Sequence, residues 1–249
     1  MTILQHLQRS ILPGEVLDVV VGLSRVAVLV RTQNGLSCGL AATLQNPEFN
    51  HRHRPAVREA GNLHKLSTTD LVEMVESDSL TEAAIGMAAI NALLPPVSAP
   101  LEALNAHEYV LEHCQGKNVA FIGHFPFGDE IRKRAANYWV FELNPREDDL
   151  PSSAAPDYLP KTDILALSAT TLINKTFEEL VRLCKPGKEV VMLGPSTPMT
   201  PILFEYGVTI LSGTIVLNAR ETMLSISQGA SSHMVQEKGF ARYVTLRKN

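Results

Sequence analysis

The sequence predicts an α/β protein in two parts: a small N-terminal α+β domain over residues 1–97 and a Rossmann-like parallel-sheet domain over residues 98–249. Three observations carry that reading. The opening third holds short β-branched runs joined by a hairpin signal, with helices following the strands rather than alternating with them. From about residue 100, near-continuous apolar runs alternate with helical patterns, as parallel strands covered on both faces require. Residues 187–201, GKEVVMLGPSTPMTP, end an apolar run at Gly194 and set Ser196 and Thr197 between prolines, more chemistry than a simple turn needs.

Residues 15–21 (EVLDVVV) and 25–32 (RVAVLVRT) read as strands. Gln33-Asn34-Gly35 then favours a tight turn, because Asn and Gly tolerate positive φ, and LSCGLA completes a three-stranded meander. Residues 45–66 have no period and read as a long polar loop. Ser67 and Asp70 suit a helix start, with Leu71, Met74 and Val75 on one face. Ser79 and Glu82 fit a capping box opening LTEAAIGMAAINALL, which Pro95-Pro96 ends. The small residues Ala83, Ala84, Gly86, Ala88 and Ala89 imply a second backbone packed close to this helix.

In the second part, LEALNAHEYVLEHC is a helix and residues 118–123 (NVAFIG) a buried strand. DEIRKRAANY reads as helix, WVFEL and DILALSA as the second and third strands. Thr176 and Glu179 fit a capping box for FEELVRLC. EVVML is the fourth strand, Thr200-Pro201 opens a short helix stopped by Gly207, and VTILSG is the fifth strand. NARETMLSIS is helical and RYVTLRK an edge strand.

Composition narrows the function classes. A net charge of −4 gives no electrostatic reason to expect nucleic acid or an anionic membrane as partner. No apolar stretch approaches the roughly 20 residues that span a bilayer. The first residues lack the layout of a secretory signal, and Cys38, Cys114 and Cys184 form neither a disulfide framework nor a CxxC clip, so the expected compartment is the cytoplasm.

Ligands of open parallel sheets collect beyond the carboxyl ends of the strands, so the residues at each strand exit are the candidates for chemistry. Gly123-His124-Phe125-Pro126 leaves the first strand without a G-x-G-x-x-G fingerprint. Glu142 ends the second, 19 positions after Gly123, where a Rossmann protein holds a ribose hydroxyl; a plain surface glutamate is the alternative. The third exit offers Thr170, Thr171, Asn174 and Lys175, and the fourth Gly194, Pro195, Ser196 and Thr197. Brought together, these exits would form a cleft rich in neutral donors, suited to a polar small molecule or an oxyanion. No P-loop and no Gly-x-Ser-x-Gly elbow is present.

His124, at a strand exit, is a candidate metal ligand or proton shuttle. His51 and His53, two apart, would project to one side if extended, but flanking arginines oppose a cation and a solvated loop is the alternative. His107, Leu111 and Cys114 share one helix face, and Cys38 sits on a strand; both read as packing.

The blocks NVAFIGHFPF, FELNPREDDLP, ALSATTLINKTFEELVRL and VVMLGPSTPMTPILFEYGVTILSG together resemble the putative heavy-metal chelation domain family. The likeness implies an N-terminal domain similar to that of enolase, without enolase's metal-bearing barrel, followed by a Rossmann-like domain. It implies metal handling but brings no established reaction, and the sequence holds no dense set of soft ligands.

The expectation is therefore a protein that binds a small polar ligand, a metal or a metal-chelate in a cleft at the strand exits, roofed by the N-terminal domain. An enzyme, a transferase or lyase using an adenosine-containing cofactor at Glu142, is the alternative. A non-catalytic assembly subunit is a third reading, and a homodimer the expected oligomer on base rate alone.

Overall fold

The computed structural model describes residues 1–46, 48–49 and 55–248; His51 and His53 lie outside the described residues. Its first element is helix α1 (Ile3–Arg9), started by a Thr2/Gln5 capping box. Strands β1 (Gly14–Val21), β2 (Arg25–Thr32) and β3 (Gly35–Ala42) then form the antiparallel meander in the order β1-β2-β3. Thr32 pairs with Gly35 across the two-residue turn, and Gly35 takes the positive φ, 104°.

Helices α2 (Thr68–Glu73) and α3 (Leu80–Leu93) follow. Ser67 and Asp70 make the expected reciprocal cap on α2. At α3 only half of the expected box exists: Ser79 Oγ accepts from Glu82 N, but the Glu82 carboxylate turns to Arg58 and Ser77 instead of the Ser79 amide. The small residues of α3 do meet another backbone. A Cβ on Gly86 would lie 2.1 Å from Val75 N, and one on Gly39 of β3 would lie 2.1 Å from Ala88 O.

The second part contains α4 (Ala106–His113), β4 (Asn118–Ile122), α5 (Gly128–Arg132), β5 (Asn137–Glu142), β6 (Leu150–Pro151), α6 (Ala155–Tyr158) and β7 (Ile164–Ser168). It continues with α7 (Thr170–Ile173), α8 (Phe177–Arg182), β8 (Glu189–Leu193), α9 (Ile202–Glu205), β9 (Ile210–Val216), α10 (Ala219–Ser227), α11 (Ser232–Glu237) and β10 (Ala241–Arg247). The strands form one seven-stranded sheet, β10-β9-β8-β7-β4-β5-β6, parallel except for β10, which runs antiparallel to β9.

Three expected elements differ. The helix before β4 starts only at Ala106, capped by Asn105, because residue Glu102 is bridged to Thr245 of β10. The helix after β4 stops at Arg132, and Asn137 and Tyr138 belong to β5. Thr176 does not cap α8 with its side chain; its hydroxyl donates to Asn174 Oδ1.

The two sheets share packing. One apolar cluster joins Val26, Val28 and Ala41 of the small sheet and Ile85 and Leu93 of α3 to Leu165, Leu167, Met192 and Leu211 of the large sheet. The opposite face of the small sheet, through Ala27, Leu29, Cys38 and Leu40, is covered by Met223 and Ile226 of α10. Among the described residues no helix is long and apolar enough to cross a membrane.

Candidate functional site

The chain order of the large sheet reverses between β4 and β7, and the crevice beyond such a switch point is where open sheets bind ligands. A cleft of about 550 Å³ lies there, walled by the exits of β4, β5 and β7. Leu44, Gln45 and Leu80 from the N-terminal part close one side of it. Ile122, Phe141 and Leu180 give it apolar walls, while Glu142, Asn144, Thr170, Asn174 and Glu179 bring polar groups to the same space.

Gly123 makes the first turn possible. It sits at φ 99°, donates its N–H to Phe141 O at 3.0 Å, and points where a Cβ would approach Ser168 to 3.6 Å. The chain then diverges from the cleft. The His124 N–H donates to Glu142 Oε1 at 2.9 Å, and the imidazole Nε2 meets Asp149 Oδ2 at 2.8 Å. Asp149 also accepts from Arg146 N at 2.7 Å. Desolvation works against the Asp149 carboxylate, yet the Arg146 amide and the His124 ring together hold its pKa below the ordinary value. An ionised carboxylate only accepts, so Nε2 carries the proton in this pair. His124 thus fastens both ends of the 142–149 segment. Phe125 packs inward against Phe121 and Phe127, with centroids 5.5 and 5.6 Å apart, and Pro126 is exposed.

At the β7 exit, Thr170 Oγ1 donates to Ser168 Oγ and Thr171 Oγ1 to Ser168 O, at 2.8 and 2.7 Å. Asn174 Oδ1 accepts from the Thr176 N–H and hydroxyl, so its amide NH₂ is the group left for the cleft. Lys175, the one described non-glycine residue at positive φ (65°), directs its ammonium away, to Glu76 O and Ser77 O.

The β8 exit does not reach this cleft. Gly194 turns at φ 108°, and Pro195 leads into Ser196 and Thr197, each only 2% exposed. Ser196 Oγ accepts the Ala42 N–H at 2.8 Å, and Ser196 O accepts from Asn91 Nδ2 at 3.1 Å. The loop rests on the end of β3. The expected set is thus divided: Gly123, Glu142, Thr170, Thr171 and Asn174 line one cleft, whereas His124, Phe125, Pro126, Gly194, Pro195, Ser196 and Thr197 do not. Asp149, Asn144 and Glu179 escaped sequence reasoning. The spacing marks Glu179 only as half of a cap, and nothing in the run REDD distinguishes Asp149 from its neighbours.

A soft heavy metal needs several convergent thiolate or imidazole donors. Among the described residues no group of three or more His, Cys, Asp or Glu is placed to hold a metal ion. Burial pushes the Cys38 thiol up to about 12 and the Cys184 thiol up to about 11, so both stay protonated at neutral pH and are poor ligands. The His124 ring is already tied to one carboxylate. His107 stacks on Phe127 at 4.6 Å, and Cys114 is buried, so their shared helix face serves packing. The described side chains do not fit direct chelation.

Two solved structures of proteins of unknown function from the DUF364 family share the fold. One, from Desulfitobacterium hafniense, is 24% identical, with a TM-score of 0.82 over 99% of this chain and 98% of its own. The other, from Pyrococcus horikoshii, is 22% identical, with a TM-score of 0.83 over the same shares. An uncharacterized protein of Methanocaldococcus jannaschii is 26% identical over 239 residues, 93% of this chain and 90% of its own. Residues 4–94 match the DUF4213 family, described as putative heavy-metal chelation, and residues 105–245 match DUF364, which carries the same description. The chain therefore belongs to the putative heavy-metal chelation family, DUF364 in its larger part preceded by DUF4213.

Proposed function

We propose that the cleft at the β4, β5 and β7 exits binds a small, partly apolar organic molecule through its hydroxyl or amine groups. The observation that carries this reading is the lining: Glu142 and Glu179 contribute carboxylates, and among the described residues no Lys, Arg or His lines the cleft. Such a surface repels an oxyanion and attracts hydrogen-bond donors or a cationic amine. Its volume and mixed apolar and polar walls are those of small-molecule sites. A metal would enter this cleft already wrapped by its own organic ligand, since the described side chains offer it no cage.

A second reading has its own support. Glu142 ends β5, the parallel neighbour of β4, which is the position of the ribose-binding acid in dinucleotide proteins. One of its oxygens is taken by His124 N, and the other is left for a ribose diol of an adenosine-containing cofactor.

Thermal-shift screening with hydroxylated amines and adenosine-containing cofactors tests both readings, because a native-state ligand raises the unfolding midpoint. The expected result is a hit from one of the two groups whose affinity falls at least about tenfold, about 1.4 kcal/mol, in Glu142→Gln. A hit that binds Glu142→Gln as tightly as the wild type would overturn the assignment of the carboxylate, and with it the site.

A further inference from the structure

Among the polar groups of the cleft, the Asn174 amide is the one whose orientation is set by its neighbours. The Thr176 N–H and the Thr176 hydroxyl both meet Asn174 Oδ1, at 3.2 and 2.8 Å. A backbone N–H can only donate, so the atom facing it is the amide oxygen and not the nitrogen. The NH₂ is therefore turned away from Thr176. It makes no hydrogen bond among the described residues and is not buried, so it is open to a molecule in the cleft that Asn174 lines.

The turn that holds this amide is strained and pinned. Lys175, between Asn174 and Thr176, takes φ 65°, a left-handed conformation that costs free energy in any residue with a β-carbon. Its ammonium donates to Glu76 O and Ser77 O, both at 2.8 Å, on the N-terminal part of the chain. Such strain persists where the surroundings over-determine it, and ligand sites are where it collects. The other amides of the lining, Gln45 and Asn144, are solvent-exposed, and no side-chain hydrogen bond among the described residues orients them.

Glu142 supplies the complementary group. Its Oε1 accepts from His124 N, and a carboxylate oxygen only accepts, so Oε2 asks for a donor. Strand β4 lies between β5 and β7, so the exits that carry Glu142 and Asn174 are about 10 Å apart. The cleft thus offers an acceptor at one exit and an oriented donor at another.

We infer that the molecule bound in the cleft carries an uncharged carbonyl oxygen, that of an amide or lactam, in addition to its amine or hydroxyl, and that Asn174 selects for it. This rests on the cleft reading above and narrows it. A donor held toward a partly apolar site disfavours any molecule with nothing to accept its hydrogen bond. A carboxylate could accept from Asn174, but Glu142 and Glu179 repel it, whereas a carbonyl accepts without charge.

The probes are glycinamide, β-alaninamide and γ-aminobutyramide, which hold amine and carbonyl progressively further apart, each paired with the alkylamine of equal chain length. Each is titrated against wild type, Glu142→Gln and Asn174→Asp, reading the thermal midpoint. Asn174→Asp keeps an oxygen for the Thr176 N–H and hydroxyl and replaces only the NH₂. Its added charge acts alike on amide and amine, so the ratio of the two affinities isolates the carbonyl contact. The expected result is that at least one amino amide binds wild type about tenfold tighter than its alkylamine, that Glu142→Gln weakens both, and that Asn174→Asp lowers the ratio to about twofold or less. A ratio near one in wild type, or the same ratio in Asn174→Asp, overturns this inference; if Glu142→Gln still weakens binding, the cleft reading survives it. No saturable shift with any probe overturns both. If Asn174→Asp does not fold, Asn174→Ala, which removes the NH₂ without adding charge, is judged by the same ratio.

Discussion

Ser196 and Thr171 have the side chains of ligand-binding residues and the surroundings of structural ones. Ser196 Oγ accepts from an amide 154 positions away in the chain, and Thr171 Oγ1 donates to a carbonyl three residues back. Both residues are 2% exposed. Ser196→Ala would leave the half-buried Ala42 N–H without its partner, a loss of about 1 kcal/mol. Thr171→Ala removes the donor and leaves the Ser168 carbonyl short of one bond, a loss of about 1 kcal/mol. Urea unfolding of the two variants checks this; midpoints equal to the wild type would show that these hydroxyls are free for a ligand after all. Sequence alone could not separate the two roles, because a hydroxyl between prolines looks the same whether it faces solvent or the end of another strand. The position of Glu142 was legible for the opposite reason: the apolar run before it marks where β5 stops.

Elements that are long, apolar and regularly patterned were legible, and the short ones were not. The exits of β4, β5 and β7 could be located from NVAFIG, WVFEL and DILALSA, because strands buried on both faces must be continuously apolar. The two residues of β6 carry no pattern, and α1, seven residues long, owes its place to docking: Ile3, Leu4 and Leu7 are buried and Ile3 N donates to Glu178 Oε1. Thr176 failed as a cap because its backbone is already helical (φ −89°, ψ −9°) where a cap is extended, and its hydroxyl donates to Asn174 Oδ1 instead. The small-residue pattern of α3 was legible as close approach, and it sets a sharp expectation. Gly39→Ala would drive a methyl to 2.1 Å from Ala88 O and 2.3 Å from Ala92 N, and Gly86→Ala another to 2.1 Å from Val75 N. Every one of those atoms is backbone, so whole elements must shift. Each variant should lose about 3 kcal/mol or more, at or beyond the upper end of ordinary overpacking. Gly61→Ala is a comparison in which only the positive φ is disturbed, since nothing lies within 4 Å of its added Cβ. If the three variants melt alike, close approach does not govern the packing of α3.

At the scale of the molecule, the grammar of the sequence changes near residue 97, but the packing does not break there. The small antiparallel sheet lies between α3, which belongs to the first part of the chain, and α10, which belongs to the second. The cluster around α3 runs without interruption into β7, β8 and β9. Unfolding the first part alone would uncover the α10 face of Met223 and Ile226, the Asn91 and Ser196 contacts, and the side of the cleft formed by Leu44 and Leu80. Unfolding the second part alone would strip the small sheet of its α10 layer and expose Ala27, Leu29 and Leu40 to water. Neither part gains by opening first. Calorimetry should therefore give one transition with equal calorimetric and van't Hoff enthalpies, despite the two sheets and the two family matches. A ligand bound in the cleft, held by residues of both parts, should move that single transition to higher temperature without splitting it. Two resolved transitions, with only one of them moved by the ligand, would mean that the shared packing is too weak to couple the parts.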